Sequence, residues 1–77
     1  MSTYLSRADR FTAAREEASL FFSYMPTNGR IAMEALAWLE AGNKEGFDTA
    51  LRRFSHLSGG IDVVRICLKH GIDEVAC

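Results

Sequence analysis

The sequence has little proline, little cysteine and no long hydrophobic run. One proline and six glycines in 77 residues favour long helices over a turn-rich β fold. Two cysteines, Cys67 and Cys77, are too few for a disulfide framework, so we expect free thiols in a reducing cytoplasm. No apolar run approaches the roughly 20 residues that span a bilayer, and the N-terminus lacks a signal-peptide pattern. The composition therefore predicts a cytoplasmic protein without membrane contact.

An excess of positive charge is also missing. Nine basic and ten acidic residues leave a net charge of −1, whereas nucleic-acid binders usually carry a basic excess that neutralises phosphates. The chain is nevertheless 48% hydrophobic and 25% charged, which is typical of a folded protein. Its length allows one domain, residues 1–77, with a marginal core. We therefore expect a single small domain for which nucleic acid is an unlikely ligand.

The apolar periodicity predicts an all-α fold, either a compact four-helix bundle or two stacked helical hairpins with short connections. Ser6, with Asp9 three residues later, predicts a capped helix start. The turn signals are Pro26 with the following TNG, Gly42, the SGG stretch and Gly71. They predict helices over residues 6–25, 27 or 28 to 41, from an Asn43 cap to residue 57, and 61–70.

The stretch LFFSYMP, residues 20–26, concentrates aromatic side chains in one short run. The predicted first helix has an apolar stripe with a seven-residue repeat, formed by Tyr4, Phe11, Ala14, Ala18, Phe21 and Met25. Phe22 lies about 100° from Phe21 on a helix, and Tyr24 lies farther round. We therefore expect one of two arrangements: a wide core covers most of these side chains, or Phe22 and Tyr24 form an exposed aromatic patch that binds a partner or a second copy.

The second predicted helix is apolar nearly all round, since only Glu34 and Glu40 interrupt IAMEALAWLEAG. Such a helix has to be covered by neighbouring helices or by a partner. Together with the aromatic run, it gives this short chain more apolar surface than one copy can bury. The sequence thus predicts a surface that meets another protein or a second copy.

DNA binding through the third helix is the main alternative. Arg52, Arg53 and His56 form a basic cluster, with Lys44 upstream and an expected Asp48–Arg52 pair. A helix-turn-helix motif needs a small residue four positions before its turn glycine. With Gly42 in the turn, that position holds Trp38, whose indole would clash with the next helix.

Metal binding and catalysis have weaker support. Cys67 and His70 are three residues apart on the fourth predicted helix, but structural zinc needs four ligands, and only Cys77 and His56 could complete the set. Apolar neighbours should raise the pKa of the Cys67 thiol and suppress its reactivity. The sequence SGGI lacks a Walker lysine, so it does not indicate a phosphate-binding loop.

Two segments resemble parts of helical repeats. GGIDVVRICLKHGIDEVA resembles the second helix and following turn of an ankyrin repeat, over less than a quarter of the 77 residues. EALAWLEAGNKEGFDTALRRF is similar to a tetratricopeptide helical pair, although the full 34-residue signature is absent. Both resemblances imply protein binding, and neither assigns a role to a particular residue.

These observations predict a small, non-enzymatic protein-interaction module. It would act as an adaptor, or as an inhibitor or regulator that binds another protein, itself as a homodimer, or both. Its size and near-neutral charge would suit a bacterial, phage or plasmid regulator. We expect no catalytic residue, metal or cofactor. The predicted partner-binding residues are Phe22, Tyr24, Trp38, Arg52 and Arg53.

Overall fold

The helix starts follow from capping side chains. In the computed structural model, which describes residues 5–76, the Ser6 hydroxyl accepts the backbone N–H of Asp9 at 3.1 Å. The side-chain oxygen Oδ1 of Asn43 likewise accepts the N–H of Gly46 at 2.7 Å. Four helices and a closing 3-10 turn follow in chain order: α1 Arg7–Phe21, α2 Pro26–Glu40, α3 Lys44–Leu51, α4 Leu57–Lys69 and the turn Asp73–Ala76. The predicted all-α fold is confirmed for the described residues.

Two glycines end helices as predicted. Gly42 after α2 and Gly71 after α4 have φ values of +82° and +77°, a left-handed conformation that other residues rarely adopt. After Gly71, the N–H of Ile72 donates to the Cys67 carbonyl at 2.9 Å and Gly71 donates to Leu68 at 3.1 Å. This is a Schellman cap, and it buries Ile72 under the end of α4.

The predicted end of the first helix is wrong by one turn. α1 stops at Phe21, and Pro26 starts α2, so the PTNG segment is helical rather than a turn. Proline fits the first position of a helix because its missing N–H would have no partner there. Its ring also keeps Met25 out of helical geometry, and Met25 has φ −135° and ψ 84°.

The break between the third and fourth helices is also displaced. SGG, residues 58–60, lies inside α4, and the chain turns at residues 52–56 instead. A Cβ atom on Gly59 would lie 2.5 Å from Cδ1 of Phe54, so glycine lets the Phe54 ring rest on the α4 backbone. Gly59 therefore serves a close packing contact rather than a flexible connection, whereas Gly60 has ordinary space around it.

The core lies where the four helices meet. α2 and α3 are antiparallel, because Trp38 contacts Gly46 near their turn while Glu34 pairs with Arg53 farther away. α2 packs most extensively on α3, and α1 packs on α2 and α4. The buried side chains form one cluster: Phe11, Ala14, Ala18, Phe22, Ile31, Ala32, Ala35, Leu36, Leu39, Phe47, Ala50, Phe54, Val63, Ile66, Cys67 and Ile72.

Phe21 and Phe22 exchange their predicted environments. Phe22 is buried, at 2% exposure, and stacks on Phe54 with ring centroids 5.7 Å apart, whereas Phe21 is 51% exposed. This burial contradicts the prediction that Phe22 binds a partner. The N–H of Phe22 still donates to the Ala18 carbonyl at 2.9 Å, so Phe22 stays in helical phase and continues the buried row of Ala14 and Ala18. Met25 is half exposed, and Tyr4 lies outside the described residues.

Arg7 links the start of α1 to the end of α2 and to the closing 3-10 turn. Its guanidinium donates to the Glu40 and Leu39 carbonyls at 2.7 and 3.0 Å, at the end of α2. It also donates to the Glu74 carboxylate at 2.8 Å, which holds the pKa of Glu74 below its ordinary value.

Among the helices formed by residues 5–76, none combines the length and apolarity required to cross a bilayer.

Candidate functional site

Three of the five predicted partner-binding residues meet in one groove. Trp38 near the end of α2 and Arg52 and Arg53 after α3 line an open groove of about 500 Å³. We call it the α2–α3 groove; its other walls include Gly46, Asp48 and Thr49. The short α2–α3 turn and the antiparallel packing bring these side chains together, although as many as 15 positions separate them in the chain. The groove has the Trp and Arg content of protein interfaces.

Gly46 allows the Trp38 ring to pack directly on the backbone of α3. The sequence alone did not predict this role. A Cβ atom at Gly46 would lie 2.7 Å from Cδ2 of Trp38, so the indole rests directly on the α3 backbone. The clash expected for Trp38 against the next helix is therefore absent. The only signal in the sequence is a glycine in the first turn of α3, where helix propensity disfavours it. Trp38 remains 47% exposed above this seat.

The charges around the groove alternate in sign. Arg53 donates to the carboxylate of Glu34 on α2, and Lys44 lies 3.7 Å from Asp48. The predicted Asp48–Arg52 pair is not formed, and Arg52 has no ion-pair partner within residues 5–76. Within the described residues, Arg52 and Glu45 are thus the two charged side chains of the groove lining without an ion pair.

Tyr24 lies on a different surface. It is 92% exposed beside Leu20, at 77%, and the half-exposed Phe21 and Met25. These four residues form what we call the α1-end patch. It adjoins the start of α2, whereas Trp38 lies 12 residues, or about 18 Å, farther along that helix. The predicted partner-binding residues thus divide between two separated surfaces and the core.

Cys67 and His70 do not form a common site. Cys67 is fully buried, and burial raises the pKa of its thiol to about 12, which suppresses the reactive thiolate. The His70 ring lies instead 2.7 Å from the Glu17 carboxylate, which Lys69 also contacts at 3.1 Å. Within residues 5–76 no three His, Cys, Asp or Glu side chains are grouped to hold a metal ion. Cys77 lies outside the described residues.

Comparison of the chain with protein-family models, curated proteins and solved structures found no match. The ankyrin-like and tetratricopeptide-like segments therefore gain no support as members of those families. Function has to be inferred from the surfaces of the fold.

Proposed function

We propose that this protein is a non-enzymatic interaction module that binds another protein in the α2–α3 groove, as an adaptor or as an inhibitor or regulator. The observation that carries the proposal is the seating of Trp38. Its ring is fixed on Gly46, half exposed, and next to Arg52 and Arg53. Tryptophan and arginine are the residue types most enriched among those that dominate binding energy.

The exposed part of Trp38 is large enough to anchor a complex. A buried tryptophan covers about 150–250 Å². Since 47% of Trp38 is exposed, a partner could bury roughly 100 Å² more, which contributes about 2.5 kcal/mol. Because the ring already rests on the backbone, binding immobilises few additional side-chain rotamers. A contribution of this size is typical of an interface hot spot.

Arg52 indicates the chemistry of the partner. Arg53 is already paired with Glu34, whereas Arg52 is exposed and forms no ion pair within the described chain. A carboxylate on the partner would give Arg52 a charge-assisted hydrogen bond. We therefore infer a partner segment that combines an apolar side chain for Trp38 with an acidic side chain for Arg52.

The DNA-binding alternative uses the same cluster. Duplex binding needs several cations directed at phosphates, but Arg53 is paired with Glu34 and Lys44 with Asp48. α3 is also only 8 residues long, or about 12 Å. This alternating charge favours a protein partner over DNA.

Affinity capture from cells of the source organism, followed by binding to the purified captured protein, tests the proposal. We expect Trp38→Ala to weaken binding roughly 30-fold or more, the equivalent of about 2 kcal/mol. Arg52→Glu should slow association and remove most of its salt dependence. Tyr24→Ala is the matched control on the α1-end patch and should bind as the wild type does. Circular dichroism would show that each variant is folded.

Two outcomes would contradict the proposal. In one, Trp38→Ala and Arg52→Glu bind the captured protein as tightly as the wild type, which would exclude the α2–α3 groove. In the other, nuclease treatment abolishes the capture and Arg52→Glu abolishes a salt-sensitive DNA shift. That result would establish the DNA-binding alternative.

A further inference from the structure

α4 has apolar side chains on two opposite faces. One face is buried in the core and consists of Val63, Ile66 and Cys67. The opposite face, which we call the α4 seam, consists of Leu57, Ile61, Val64 and Leu68. Leu57 is 85% exposed, and Ile61 and Leu68 are about half exposed, whereas Val64 is partly buried and also packs on the edge of the core. A helix on the surface of a monomer normally has polar residues at these outward positions.

The α4 seam has the spacing of a helix–helix interface. Its residues are separated by four, three and four positions, which is the alternation of the apolar a and d positions of a heptad. α4 has 13 residues and is about 20 Å long, so the seam extends along most of the helix. The pattern indicates that a second helix covers this face.

We propose that the covering helix is α4 of a second copy, packed antiparallel about a two-fold axis. The seam reads leucine, β-branched, β-branched, leucine in either direction. Antiparallel pairing therefore places Leu57 opposite Leu68 of the second copy, and Ile61 opposite Val64 of the second copy. Such self-complementarity is what an isologous interface requires. The α4 seam lies on a different helix from the α2–α3 groove, and Arg52 is the one described residue that lines both the groove and the hollow beside the seam.

A hollow beside the seam gives the second copy a place to insert. It has a volume of about 310 Å³ and is lined by Leu51, Arg52, Gly60 and the first three residues of the seam. Gly60 has no side chain to fill the hollow. A Cβ atom placed there would have Cβ of Leu51 as its nearest neighbour, at 3.7 Å. In the antiparallel arrangement, Leu68 of the second copy lies at this hollow as a knob in a hole.

The charges flanking the seam favour the antiparallel direction. Arg65 and Asp62 lie about 40° and 100° from Ile61 in the same rotational sense, so both are on one flank. Neither forms an ion pair within residues 5–76. Antiparallel pairing about the two-fold axis brings this flank against its own copy. Arg65 is the nearer of the two to the seam and can reach toward Asp62 of the second copy, whereas the two Asp62 side chains, about 130° from the seam centre, point away from each other. A parallel pair would instead set this flank against the uncharged Gly60 side.

The size of the seam sets the expected affinity. Stable interfaces bury about 800 Å² per partner, and two helices of about 20 Å offer less. We therefore expect a reversible dimer with a Kd of about 10–300 µM, measurable by sedimentation equilibrium up to about 1 mM protein.

The decisive experiment mixes two variants. Leu57→Lys and Leu68→Glu should each weaken self-association at least about tenfold, because a charge is buried against an apolar residue. Their equimolar mixture should associate at least about tenfold more tightly than either variant alone. Only the antiparallel arrangement sets Lys against Glu at one end and leaves the leucine pair at the other. Leu20→Glu, an equally exposed leucine outside the seam, and Trp38→Ala should dimerise as the wild type does.

Three results would overturn the proposal. They are a wild-type monomer up to about 1 mM, equal weakening by Leu20→Glu, or no gain in the mixture. Because Leu57 and Leu68 are exposed, both variants should remain folded, and circular dichroism checks this.

Discussion

Two aromatic rings in this protein rest on helical glycines, one in the core and one at the surface. Phe54 lies on Gly59 of α4 and is 8% exposed, whereas Trp38 lies on Gly46 of α3 and is 47% exposed. In both cases a Cβ atom on the glycine would come closer than 3 Å to the ring, at 2.5 and 2.7 Å. The local geometry of the two contacts is therefore the same, and their burial differs.

This difference in burial indicates that the Phe54 contact stabilises the fold, whereas the Trp38 contact leaves a ring exposed for the proposed binding. The Phe54 ring packs on the backbone of Gly59 and also stacks on Phe22, so protein covers it on two sides. Trp38 has one face on the backbone and the other available to a partner. A close aromatic contact stabilises the fold where both faces are covered, and it offers a binding surface where one is not.

The largest expected effect is at the buried contact. Phe22→Ala should lower the free energy of unfolding by about 3–5 kcal/mol, because it leaves a cavity against Phe54. That is a large fraction of the roughly 5–15 kcal/mol of a typical domain. Urea denaturation would measure it, with the half-exposed Phe21→Ala as control, at less than about 1.5 kcal/mol. Equal losses for both variants would show that the rings share one environment.

Two neighbouring glycines should respond with opposite signs. Gly59→Ala places a Cβ 2.5 Å from the Phe54 ring, so we expect a loss of about 1–3 kcal/mol despite the better helix propensity of alanine. Gly60→Ala finds its nearest neighbour at 3.7 Å and should raise stability by about 0.5–1 kcal/mol. Thermal denaturation of both variants measures this. A stabilised Gly59→Ala variant would refute the close contact.

Gly46→Ala should affect the surface more than the fold. Its Cβ would displace the Trp38 ring, which is free to turn toward solvent, so stability should change by less than about 1 kcal/mol. Trp38 is the single tryptophan, and its fluorescence emission should shift to the red. Gly29→Ala is the control, since its Cβ meets Phe22 at an ordinary 3.8 Å and should leave the emission unchanged. An unshifted emission spectrum of Gly46→Ala would argue against the packing of Trp38 on the Gly46 backbone.

The smallest effect tests whether surface ion pairs matter beside these aromatic contacts. Hydrogen bonds from His70 and Lys69 lower the pKa of Glu17 from its ordinary 4.5 in the folded state. The stabilisation is therefore complete above pH 4.5 and is lost as the pH falls through the lower folded-state pKa. Glu17→Gln should be slightly less stable than the wild type at pH 7, and the two should converge in acid. Urea denaturation at several pH values measures this, and a gap that widens in acid would contradict it.

Local signals predicted most of the helix ends. Ser6 and Asn43 cap helices as their side chains suggest, and Gly42 and Gly71 terminate them. Each of these signals acts within a few residues, so the sequence contains all the information needed. Three predicted partner-binding residues, Trp38 and both arginines, line one groove. Their nearness depends on the pairing of α2 with α3.

The sequence by itself determined that four helices form, that Ser6 and Asn43 cap two of them and that apolar faces are in surplus, because these depend on neighbours within one or two turns. Only the tertiary structure decided that Phe22 is buried and Phe21 exposed, and that Gly46 and Gly59 each carry an aromatic ring. The physical reason is that burial and close contact depend on residues from other segments. Their distances become fixed only when the helices pack.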